Sequence, residues 1–183
     1  MTFKSLFTTI IAAVLAVSVV SAAQAASKKK IDRRVQEALV EFHTLVSGSE
    51  GLIKRAKGVL IFPKVTKAGI GIGGEKGDGA LLIKGRTVGY YRTISASIGF
   101  QLGVQVRRQM IIFLDQDALD AFRNSDNWEV GVDGSVALVT LDAGGRIDTE
   151  TKGAPVIGFI FGAKGLMYNL TLEGTKVSPI HRK

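Results

Sequence analysis

Ile94-Ser95-Ala96-Ser97-Ile98-Gly99-Phe100-Gln101-Leu102-Gly103-Val104-Gln105-Val106 alternates without a break. Its even positions are apolar and its odd positions are Ser, Gly or Gln. Successive side chains on a strand point to opposite faces, so this period of two predicts a strand with one apolar and one polar face. The apolar run from Gln109 to Leu114 reads as its continuation, buried on both faces or lying at a bulge.

Upstream, Thr87 to Arg92 and Gly79 to Lys84 read as hairpin arms around Lys84-Gly85-Arg86. Ala68 to Glu75 reads as a strand alternating with glycine. Gly58 to Pro63 reads as a short buried strand stopped by proline, and Glu75 to Gly79 as a turn. Downstream, Asp117 to Arg123 reads as a short helix capped by Asp115. Trp128 to Val132, Ser135 to Leu141, Ala154 to Phe161 and Leu166 to Leu172 read as further strands. The longest stretch of helical spacing is near the start. Ile31, Val35, Ala38/Leu39, Phe42 and Leu45/Val46 fall at helical spacing, and Ser49 is placed to cap a second helix, Glu50 to Lys57. Helices first and many short strands after predict an α+β fold: N-terminal helices packed on a curved, mostly antiparallel β-sheet or barrel-like core. No linker divides residues 31–183, so they are expected to form one domain.

The first 25 residues read as an address. Lys4 precedes an apolar run from Leu6 to Val20, and Ala23-Gln24-Ala25 has the small residues of a cleavage site. The expectation is a secretory signal cut between Ala25 and Ala26, a basic tether over 26–30, and a periplasmic or secreted chain, membrane-associated if the signal is kept as an anchor. The chain has no Cys, which excludes disulfides, thiolate metal sites and a Cys nucleophile. It has two His, His43 and His181, neither set in a catalytic motif. No metal, no cofactor and no enzymatic activity are expected.

Charge is uneven. The 183 residues carry a net charge of +8. Residues 51–114 hold eleven Lys and Arg against Glu75 and Asp78, whereas residues 115–152 are strongly acidic. The basic block predicts a face for anionic partners, built from Lys54, Arg55, Lys57, Lys64 and Lys67 with Arg86 and Arg92. Nucleic acid fits less well, because Tyr90 and Tyr91 would point to opposite faces of a strand and could not form a stacking platform.

Gly69-Ile70-Gly71-Ile72-Gly73-Gly74 satisfies the dinucleotide-binding pattern formally. The next residues, Glu75 to Gly79, are turn-like rather than a helix start, and no acid stands between 79 and 114 to hold a ribose. Gly69, Gly71, Gly73 and Gly74 instead read as a bare strand face that another segment or an acyl chain packs against closely.

Taken together, five ordered strings resemble the SYLF domain family over about residues 30–180. They are Ala56 to Pro63, Gly69 to Gly74, Ser97 to Gln105, Trp128 to Ser135 and Lys164 to Gly174. The resemblance implies lipid binding, of phosphoinositide type in eukaryotic members, and an actin association in a yeast member. It implies no catalysis. The expected function is therefore non-enzymatic binding of anionic phospholipid head groups by an exported envelope protein. The alternative is an interaction module that docks a protein partner through the acidic 115–152 segment.

Overall fold

Two very long strands, β1 (Gly58–Ile83) and β2 (Arg86–Phe113), form an antiparallel hairpin that organises everything else. The computed structural model describes residues 27–141, 153–164, 172 and 174–180, with backbone alone for 70–72 and 97–103. The hairpin tip is the two-residue turn Lys84-Gly85, both residues at positive φ (50° and 75°). This is the backbone that a tight hairpin needs to match the twist of its strands.

Where the sequence predicts three strand pieces before the tip, the structure has one. Pro63 does not stop β1. The register shifts between Phe62 and Val65, and proline is tolerated at such a bulge because no ladder hydrogen bond is required of it there. Glu75 to Gly79 is strand rather than turn.

β1 also doubles back on itself. Lys67 and Glu75 are eight positions apart, about 26 Å in a straight strand at ~3.3 Å per residue. Their side chains nevertheless meet at 3.4 Å. A Cβ added to Gly77 would lie 2.8 Å from the Lys64 carbonyl oxygen, and one added to Gly79 would fall onto that of Ile61. The contacts 61/79, 64/77 and 67/75 converge on the register shift between Ile70 and Ile72. Glycine at 77 and 79 is thus required by close approach of backbone to backbone.

The remaining strands complete a curled half-barrel. β5 (Val156–Lys164) pairs antiparallel with the end of β2, and β4 (Ala137–Thr140) pairs parallel with β5. β6 (Lys176–Pro179) pairs antiparallel with residues 91–94 of β2, and β3 (Trp128–Glu129) with β6. The expected α+β class with a curved, mostly antiparallel sheet is what is observed. β6 carries no strand signal of its own, being four residues ending in proline. Of the predicted strand Leu166–Leu172, residues 166–171 lie outside the described residues.

Each face of the sheet has its own core. One is covered by the helix over residues 27–45 (α1) and by α2 (Ser49–Arg55). There Val35, Ala38, Phe42 and Val46 meet Val59, Ile61, Leu82, Met110, Ile112, Phe159 and Phe161. Phe42 sits edge-on to Phe159 at 4.9 Å between centroids. The other core is covered by α3 (Gln116–Arg123), where Phe122 and Trp128 stack edge-to-face at 5.4 Å against Leu60, Phe62, Leu81, Ile111 and Phe113. Among the described residues both clusters lie between Ile31 and Val177, within residues 26–183.

The helix caps divide. The Asp115 carboxylate accepts from the Ala118 N–H at 3.0 Å, as expected. Ser49 is not a cap: Gly48, at φ 78°, precedes α2, and the Ser49 hydroxyl bonds to His43 Nδ1 at 2.8 Å. That contact gives His43 a structural partner on α2. Residues 27–30, expected as a tether, belong to α1. The proposed signal lies outside the described residues, and none of the described helices is long and apolar enough to cross a membrane.

Candidate functional site

At the described positions of the alternating stretch, 94–96 and 104–106, the apolar side chains Ile94 and Val104 are exposed. Ile94 and Val104 are 51% and 60% exposed, while the odd-numbered Thr93, Gln105, Arg107 and Gln109 are buried. The cause is the doubling of the hairpin. The curl encloses Lys67, Glu75, Gln105 and Arg107, and leaves Ile94 and Val104 outside.

Glu75 is the centre of the enclosed cluster. It accepts from Arg107 Nη2 at 2.6 Å and pairs with Lys67 Nζ at 3.4 Å. With its amide turned so that the oxygen faces Arg107, Gln109 accepts from Arg107 Nε and Nη2 at 3.2 and 2.9 Å. Burial pushes the Arg107 guanidinium below its ordinary pKa, and Glu75 pulls it back up by charge and hydrogen bond. Lys67, predicted for the basic face, is therefore an interior residue, 2% exposed. Nothing in the local sequence marks it out: it follows Lys64 by three positions in the same Lys-rich stretch.

Outside the curl, the cations assemble where α1 crosses β1. A cleft of about 400 Å³ is lined by Lys30, Arg34, Lys64, Lys76 and Arg92, with Asp78 as its one acid. Asp78 is already committed. It accepts from Arg92 Nε at 2.7 Å and from Nη2 at 3.0 Å, a bidentate pair that raises the Arg92 pKa. Lys30, Arg34, Lys64 and Lys76 form no ion pair among the described residues. Lys76 is the cross-strand partner of Ile94, so the cationic cleft borders the outward apolar face. A second groove, sharing Arg34, Pro63 and Lys64, continues to Arg108 and Lys164. Arg108 is paired with Glu41 at 3.1 Å.

The predicted site residues therefore separate. Lys64 and Arg92 line the cleft, Arg92 through its pair with Asp78. Lys54, Arg55 and Lys57 are exposed at α2 and just beyond it, and Arg86 is exposed at the hairpin tip. Lys54 lines a different cleft, beside Lys84. Lys30, Arg34 and Lys76 are members of the site that the charge block did not single out. Lys30 and Arg34 lie before residue 51, where acids balance the bases in sequence but not in space.

The glycines of residues 69–74 lie in strand, as expected. Gly73 is buried, Gly69 half-buried and Gly74 exposed, where an added Cβ would meet only the Ser95 carbonyl oxygen at 3.9 Å; close approach to backbone occurs instead at Gly77 and Gly79. Tyr90 and Tyr91 do face opposite ways. Tyr90 donates to Asp32 at 2.9 Å, and Tyr91 packs on Phe122, where burial raises its pKa. Among the described residues no group of three His, Asp or Glu side chains is placed to hold a metal.

Residues 94–182 match the family model Ysc84, described as Las17-binding protein actin regulator. The match over these residues is to the SYLF domain family. The match begins inside β2, at Ile94, so the strand that β2 pairs with throughout lies before it. No curated protein matches the chain. The SYLF family is associated with actin and with lipid binding. The residues that line the cationic cleft, Lys30 to Arg92, all precede the matched segment.

Proposed function

We propose that this protein binds the surface of anionic phospholipid membranes, without catalysis, as an exported envelope protein. The observation that carries the reading is a cleft with four cations that form no ion pair among the described residues, beside the exposed Ile94. Head-group phosphates meet Lys30, Arg34, Lys64 and Lys76, while Ile94 and Val104 approach the boundary of the acyl region. The four cations that have no ion pair among the described residues repel one another, and an anion relieves that repulsion. Each Lys or Arg near an anionic bilayer contributes ~1 kcal/mol. Four such residues suffice for reversible recruitment.

Co-sedimentation of residues 26–183 with vesicles tests this. Binding to phosphatidylglycerol vesicles and not to phosphatidylcholine vesicles is expected. It should weaken between about 0.1 and 1 M salt, as the Debye length falls from ~10 to ~3 Å. Lys64→Glu with Lys76→Glu should weaken it at least thirtyfold, since ~2 kcal/mol is lost with the two attractions alone. Equal binding to both vesicle types, or none to either, overturns the reading.

A further inference from the structure

The second cleft has a different chemistry. It measures about 340 Å³ and lies between α1, α2 and the hairpin tip. Leu39, Ile53, Ala56, Val59 and Leu82 make its walls, and Lys54, Lys84 and Gly85 complete its lining. No acid lines it, and neither lysine forms an ion pair among the described residues.

Lys84 is the second observation. It is the one non-glycine residue at positive φ among the described residues, at 50°. A two-residue hairpin turn favours Asn, Asp or Gly at that position, because a side chain there is strained by roughly 1–2 kcal/mol. A lysine held in this conformation at the rim of an apolar cleft is a candidate functional residue.

From this pairing we infer that the cleft binds a single-chain anionic amphiphile of the fatty-acid class. The acyl chain lies along Leu39, Ile53, Val59 and Leu82, and its carboxylate is held by the Lys54 and Lys84 ammonium groups. The volume is near the lower end of small-molecule sites, about 300–1,000 Å³, which suits one chain rather than two. Two lysines supply point charges rather than a planar fork, so one small anionic head is enough to satisfy them. The inference is independent of the head-group reading, since Lys54 and Lys84 are not among the residues of the cationic cleft.

The experiment is a titration of residues 26–183 with dansyl-labelled undecanoic acid below its micellar concentration, read by fluorescence. Saturable one-to-one enhancement is expected, reversed by dodecanoate and not by dodecanol or pyrophosphate. Lys84→Gly removes the charge while suiting the turn, and Lys54→Gln removes the other. Each should weaken binding about tenfold, the loss of one charge-assisted contact. Ala56→Phe should fill the cleft and abolish binding with the lysines intact. Lys64→Glu with Lys76→Glu should leave binding unchanged, which separates this site from the vesicle surface. Non-saturable enhancement, or equal affinity in Lys84→Gly, Lys54→Gln and Ala56→Phe, overturns the inference.

Discussion

The same hairpin is built in two ways along its length. Near its ends, residues 59–62, 80–82 and 110–113 are apolar on both faces, and each face is covered by helices. In its curled middle, Lys67, Glu75, Gln105 and Arg107 fill the interior, while Ile94 and Val104 face outward. The ends are held by area removed from water, which tolerates changes that keep volume. The middle is held by one carboxylate that two cations share. A charge enclosed in this way is costly to leave alone, because its lost hydration is returned only by its partner.

That difference is open to attack. Glu75→Gln strips the counter-charge from Lys67 and Arg107 together and should cost about 3–5 kcal/mol, read by urea unfolding. A loss below 1 kcal/mol would mean that water reaches the cluster and that the two regions differ less than the burial suggests. Lys67→Met leaves Glu75 its bond to Arg107 and should cost less, about 1.5–3 kcal/mol. Gly79→Ala tests the doubling itself. Its Cβ meets the Ile61 carbonyl, so a loss of about 1–3 kcal/mol is expected. The smallest effect belongs to Lys64→Met, within about 0.5 kcal/mol on stability. Lys64 and Lys67 stand three positions apart in sequence. The first should affect vesicle binding and not unfolding, and the second chiefly unfolding. If both behaved alike, the division of the basic block into surface and interior would fail.

Much of the architecture is legible residue by residue. The helix face from Ile31 to Val46, the Asp115 cap, the Lys84-Gly85 turn and the period of two across β2 all express local rules of backbone and side-chain geometry. Other features are not legible. β6 has too few residues to carry a pattern, and it is a strand because residues 91–94 offer it an edge. Gly77 and Gly79 read as turn glycines because the strand segments they admit lie more than ten residues away.

The candidate site divides along the same line. Sequence alone determined that a cysteine-free, basic α+β chain carries its cations ahead of its acids, with one long strand of strict alternation. Which cations meet each other, and which face of that strand looks outward, were decided only by the tertiary structure. Alternation specifies that two faces differ and does not say which one is enclosed. Once β1 doubles back, Lys67 is brought to Glu75 and buried, Lys76 is set beside Ile94 at the rim of a cleft, and Lys30 and Arg34 are delivered to it by α1. Contacts between distant segments depend on the path of the chain through space, and no local pattern encodes that path.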